Sequence, residues 1–133
     1  MKKLKILLIV GLVLALALPV YARIVKVPQI TLTVAADGTS DSDTLNPING
    51  RVTNMVLVIP DWTNTVTATL TITDADSADI FTEASLAQDS THIFDQLWDK
   101  IPISGAYTVT VTLSGVPGAG GGDCTFSMTY EEG

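Results

Sequence analysis

The sequence predicts an all-β protein: an antiparallel β-sandwich of about seven strands, of jelly-roll or immunoglobulin-like type, behind an N-terminal hydrophobic segment. Two segments and one spacing carry that expectation. In residues 66–76, VTATLTITDAD, Val66, Ala68, Leu70 and Ile72 fall on one side and Thr67, Thr69, Thr71 and Thr73 on the other. Side chains on a strand alternate faces with a period of two, so this stretch is a strand with one apolar and one hydroxyl face. Residues 107–113, YTVTVTL, repeat the pattern, with Tyr107, Val109, Val111 and Leu113 opposing Thr108, Thr110 and Thr112. An apolar sheet face needs a second layer to cover it. Turn signals recur about every 8–12 residues and no helical period follows the N-terminal segment, which is the pattern of a sandwich.

Residues 23–36, RIVKVPQITLTVAA, alternate with Ile30, Leu32 and Val34 on one face. Pro28 donates no ladder hydrogen bond, so this strand starts after it or lies at a sheet edge. Residues 37–46, DGTSDSDTLN, read as a polar loop and Asn49-Gly50 as a turn. The strand that follows, residues 51–60, is continuously apolar at 55–59, as expected of a central strand covered on both faces. Residues 60–64 turn into the first threonine-faced strand, and residues 74–79 close a hairpin that returns from Ile80. Residues 84–95 read as a helical turn and then a short strand at 91–94, with a loop at 96–100. Residues 101–105 turn into the second threonine-faced strand. Residues 114–123, SGVPGAGGGD, read as a flexible hairpin loop, 124–130 as the last strand and 131–133 as a frayed acidic tail.

The N-terminus divides the chain into residues 1–22 and a single domain at 23–133. Lys2, Lys3 and Lys5 precede an apolar run from Ile6 to Leu18, which closes on Pro19-Val20-Tyr21-Ala22. A basic start, a short apolar run and a small-x-small end describe a secretory signal peptide cleaved after Ala22. The competing reading is an uncleaved membrane anchor, for which the apolar stretch is slightly short of the roughly 20 residues a span requires. Cleavage would leave four basic against fourteen acidic side chains, a formal charge of −10. The remaining cations, Arg23, Lys26, Arg51 and Lys100, form no run, so nucleic acid is excluded as a partner. Membrane contact is expected only through residues 1–22, if they are retained. Cys124 is the one cysteine, so no intrachain disulfide forms, and its phase with Phe126, Met128 and Tyr130 marks a buried thiol.

The search for chemistry yields few candidates. His92 is the sole histidine, and neither a G-x-S-x-G elbow nor a cysteine motif accompanies it, so no enzyme activity is expected. Two aspartate clusters, Asp37, Asp41 and Asp43, and Asp74, Asp76 and Asp79, are candidate calcium ligands, since aspartates at alternate positions of a tight loop can converge on a cation. They lack the glycine and distal glutamate of an EF-hand loop, and aspartate is also a turn former that bonds its own backbone. No other cofactor is expected. Trp62 and Trp98 lie in expected loops, where they are candidate sugar platforms; tryptophan also plugs the ends of small sandwich cores.

The run from Asn49 to Tyr130 resembles small β-sandwich proteins encoded among the virion-structure genes of tailed bacteriophages. The resemblance lies in INGR, TATLTITDAD, IPISGAYTVTVTLSGVPG and the glycine-rich ending GGGDCTFSMTY. It implies a non-enzymatic virion component, a decoration or accessory protein that packs on a lattice by self-association or against other virion or surface proteins. It supplies no functional residues. The N-terminal segment departs from the pattern, because virion proteins assembled in the cytoplasm need no export signal. The functional expectation is therefore a structural subunit, in a virion or an extracellular or periplasmic location. The alternative is a secreted carbohydrate- or surface-binding module using Trp62 and Trp98.

Overall fold

A computed structural model describes residues 22–95 and 101–133. The expectations for residues 1–21 and for the loop at 96–100 lie outside the described residues. Seven strands follow in order: β1 (Arg23–Val34), β2 (Ser40–Ile59), β3 (Thr67–Asp74), β4 (Asp79–Ala87), β5 (Ser90–Phe94), β6 (Pro102–Leu113) and β7 (Gly122–Glu132). The hydrogen-bonded path runs β1-β7-β2-β6-β3-β4, with β5 attached to β2. Every pairing is antiparallel.

The long strand β2 belongs to two sheets. Its first half, from Ser40 to Arg51, pairs with β6. Its second half pairs with β7 on one side, from Gly50 to Val58, and with β5 on the other, from Met55 to Ile59. The path therefore resolves into two four-stranded sheets, β1-β7-β2-β5 and β2-β6-β3-β4. Of consecutive strands, β3 and β4 alone pair with each other. Eight strand positions in two sheets, filled almost entirely by crossovers, are the jelly-roll arrangement. The inward faces of both sheets merge into one apolar cluster that includes Leu32, Met55, Leu57, Leu70, Ile72, Val109, Phe126 and Met128, all 0–1% exposed. No polar or charged residue among those described is buried with them.

The threonine-faced strands and the edge position of Pro28 stand as expected: β1 ends the sheet, and its register shifts between Val27 and Ile30 around the proline. Other local expectations fail for tertiary reasons. Residues 40–46 are strand, because Ser40, Ser42 and Thr44 pair with Thr112, Thr110 and Thr108 and extend the hydroxyl face. Asn49-Gly50 is no turn. A Cβ on Gly50 would run into the Glu131 carbonyl and the Tyr130 ring, so glycine serves here for close approach of β2 to β7. Residues 55–59 are central in their sheet but covered on one face: Met55, Leu57 and Ile59 are buried while Val58 is 41% exposed.

Residues 84–87 hold no helical turn. They continue β4 through a bulge opposite Ala68–Leu70, with Ser85 at a φ of 60°. Residues 102–105 already belong to β6, and Glu131 and Glu132 are paired in β7 rather than frayed. The 114–121 segment is not a hairpin loop, because β6 and β7 lie in different sheets and each pairs with β2. The crossing of β2 yields a direct test. Gly50→Ala is expected to lower stability by about 1–3 kcal/mol through overpacking. Gly38→Ala, whose Cβ would meet ordinary contacts at 3.5 Å, is expected to be neutral or slightly stabilising. Urea unfolding of the two variants measures both.

Candidate functional site

Two prolines, Pro28 in β1 and Pro47 in β2, line a concavity between these strands. β1 carries two residues, Pro28 and Gln29, against Ser127 of β7, and β2 carries two, Asn46 and Pro47, against Ala106 of β6. Each insertion is a bulge that bends its strand away from a regular edge. Between them opens a groove of about 380 Å³ lined by Val27, Pro28, Leu45, Pro47 and Tyr130, with Lys26 and Asn46 as polar members. Beyond the groove β1 is tied to β2 and to β7 through Thr33. The Thr33 amide donates to Asp41 Oδ2 at 2.7 Å, and the Thr33 hydroxyl donates to Asp123 Oδ1 at 2.7 Å.

In the aspartate clusters, Asp41 and Asp74 accept backbone amides. Asp41 and Asp43 pair with the inward-facing Val111 and Val109, so both lie on the inner side of β2 at its free edge. Asp37 is exposed in the turn before β2. Asp74 Oδ1 accepts the amides of Asp76 and Ala78 at 3.0 and 2.8 Å, closing the β3–β4 turn, while Asp76 and Asp79 are exposed. Among the described residues no group of three or more acidic, histidine or cysteine side chains converges as a metal site.

The two tryptophans have different standings. Trp62 is 3% exposed and part of the core cluster, packed against Gly122, where a Cβ would strike the indole nitrogen. A ring so enclosed offers no face to a sugar, which removes Trp62 from the candidate ligand-binding pair. Trp98 lies outside the described residues. Cys124 is buried, and burial with the nearby Asp123 and Asp41 pushes its thiol up to about 11. A thiol held protonated in this way is a poor nucleophile. His92 stands on β5 with its ring nitrogen 2.9 Å from the Ala87 carbonyl. No helix of the described residues is long and apolar enough to cross a membrane.

Sequence reasoning missed Gln88, which organises the end of the sandwich opposite the groove. Its Oε1 accepts the Val66 amide at 2.9 Å, and its Nε2 donates to Asp61 Oδ1 and the Trp62 carbonyl, each at 3.1 Å. One side chain thereby fixes the loop that carries Trp62. No residue type or spacing signalled this. The groove had a partial signal in Pro28 and Pro47, but their meeting depends on the sheet order.

No family model matches the chain, and no curated protein matches it. Solved structures are similar to it in fold. A chain in the capsid of Ralstonia phage GP4 superposes with a TM-score of 0.55 at 15% identity, covering 87% of this chain and 89% of that one. A subunit of the Bacillus endospore appendages, described as disulfide-linked pili, gives 0.44 at 15% identity, over 84% and 91% of the two chains. A serine protease of Aeromonas sobria gives 0.39 at 9% identity; this chain covers 92% of its own length there but spans 29% of the protease. The two lower-scoring likenesses carry no argument about function, and the first is a likeness of fold.

Two outcomes are expected at the core contacts. Gln88→Ala should cost about 1–3 kcal/mol, because it strands the Val66 amide without its acceptor; chemical denaturation measures it. The Tyr107 hydroxyl is fully buried with no partner among the described residues. Burial, with the neighbouring Tyr130, pushes its phenol from 10.0 up to about 12. Between pH 10 and 12 the unfolded chain releases this proton while the fold retains it, so stability falls as pH rises through that window. Tyr107→Phe should leave neutral-pH stability unchanged or raised by up to about 1 kcal/mol, and should flatten the alkaline decline. Denaturation curves below and above pH 10 check both.

Proposed function

We propose that the domain is a non-enzymatic structural subunit that acts by surface packing in an assembly, as a virion-associated decoration or accessory protein, in a virion or extracellular setting. The observation that carries this reading is the outer face of the β2-β6-β3 sheet. Three rows of hydroxyl side chains cross it: Ser40–Thr112–Thr69, Ser42–Thr110–Thr71 and Thr44–Thr108–Thr73. The Thr44 and Thr108 hydroxyls are 2.9 Å apart. In a chain of net charge −7, such an uncharged face is where another subunit approaches with least repulsion. The fold likeness to the phage capsid chain is in keeping with this reading, and the enclosure of Trp62 counts against a sugar platform at that position.

The test is fractionation of the full-length chain from its native source. It is expected in a particle or multi-subunit fraction. Thr71→Lys combined with Thr110→Lys, which places two charges on adjacent strands of the hydroxyl face, should leave the melting temperature within a few degrees and abolish that association. Recovery of the native chain solely as a monomer that binds a glycan would overturn the reading in favour of a secreted carbohydrate-binding module.

A further inference from the structure

Asparagine precedes glycine once in the chain, at Asn49-Gly50, and the pair lies in β2 where that strand passes between the two sheets. Asn46 precedes Pro47, whose nitrogen carries no hydrogen, and Asn54 and Asn64 precede Met55 and Thr65, whose side chains crowd an attack on the asparagine. In an Asn-Gly pair the glycine backbone nitrogen has an unhindered approach to the carbonyl carbon of the asparagine side chain. The bond that forms closes a five-membered succinimide and releases ammonia. Water then opens the ring at one of its two carbonyls and leaves aspartate or isoaspartate. Isoaspartate carries the main chain through the side-chain carbon, which lengthens the backbone by a methylene.

Folding closes this route through the backbone. Asn49 stands opposite Ser104 and Gly50 opposite Ile103 of β6, and Gly50 also stands opposite Glu132 of β7. The Val52 amide donates to the Ile101 carbonyl at 3.2 Å, and the Gly133 amide donates to the Asn49 carbonyl at 3.3 Å. Hydrogen bonds alternate along an antiparallel strand, so Gly50, two residues before Val52, turns its amide toward Ile103. The nitrogen that must attack is thus engaged with β6, while the Asn49 side chain is exposed to water. The same position tolerates no added length. A Cβ on Gly50 would collide with the Glu131 carbonyl and the Tyr130 ring, and Val52 and Met55 just beyond are fully buried. An extra backbone atom here would displace the rest of β2 against its neighbours, and register is what keeps its apolar residues on the core face.

We propose that Asn49-Gly50 is a self-modification site that the fold masks: a chain that stays unfolded converts Asn49 to isoaspartate, and the product no longer forms the β2 crossing. Water is the sole co-reactant and ammonia the leaving group, so no enzyme or cofactor is needed. Exposing a central strand requires nearly global unfolding, whose population in a domain of ordinary stability is below about 1 in 1,000. Conversion is one-way. Folded chains keep Asn49, and chains that linger unfolded are withdrawn from the folding pool. The property belongs to the single chain, whatever it assembles into.

Incubation of the full-length chain at mildly alkaline pH, with and without urea, followed by peptide mapping, tests it. Isoaspartate is expected at residue 49 in the unfolded chain, at a rate at least about a hundredfold above that of the folded chain. On dilution from urea, chains carrying isoaspartate 49 should stay unfolded by circular dichroism while unconverted chains refold. Asn49→Gln, whose longer side chain closes the ring poorly, should remove the conversion, refold after ageing in urea, and leave the unfolding midpoint unchanged at this exposed position. Refolding of that aged variant also separates residue 49 from Asp37-Gly38, the other pair able to form a succinimide. Freshly made Asn49→Asp carries the charge without the longer backbone and should fold like the parent. Absence of conversion in urea overturns the site, and equal rates in folded and unfolded chains overturn the masking. Refolding of the isoaspartate chain to the parent's stability, or failure of Asn49→Asp to fold, overturns the backbone-length argument.

Discussion

The architecture depends on one strand crossing between two sheets. β2 runs for 20 residues, pairing with β6 in its first half and with β7 and β5 in its second. Transfer from one sheet to the other without a break requires the backbone to pass close to β7, and Gly50 provides that approach by having no Cβ to meet Tyr130 and Glu131. Because the strand is continuous, the two sheets cannot slide independently. Their registers are coupled through one chain, and the core between them is set by that coupling.

The crossing also leaves edges to be managed, since a free strand edge is a template for unwanted pairing. β1 carries the Pro28 bulge and β4 the bulge at Ser85. The first half of β2 carries the Pro47 bulge together with Asp41 and Asp43 on its inner side. β5 is short, at five residues. The two proline bulges on adjacent edges flank the groove, so a device that protects the edges also shapes this concavity. Edges closed in this way resist strand-to-strand pairing with other chains.

Several residues that carry chemistry elsewhere are absorbed here by the fold. Asp74 spends its carboxylate on two backbone amides of its own turn, Trp62 fills the core, and Cys124 is a small apolar packing element whose thiol stays protonated. Their environments are dry or self-satisfied, whereas ligand sites present unsatisfied groups to solvent. The described surface includes a hydroxyl face on β2, β6 and β3 and a proline-lined groove.

Fold class was legible from period-two alternation, because burying one face of a strand writes itself directly into the sequence at Val66–Ile72 and Tyr107–Leu113. The burial of Cys124 and the edge position of Pro28 followed from the same local rules. Residues 40–46 were illegible as strand, since Ser, Asp and Thr alternate without an apolar face and are held by pairing with β6, whose partner residues lie far along the chain. Gly50 read as a turn because glycine permits both a turn and a close approach, and only the neighbouring strand decides which. The groove and the role of Gln88 depend on sheet order, which brings distant segments together. The sequence by itself determined that there would be two apolar-faced layers; the tertiary structure decided which edges meet, because register and crossover are properties of pairs of strands and no single strand encodes them.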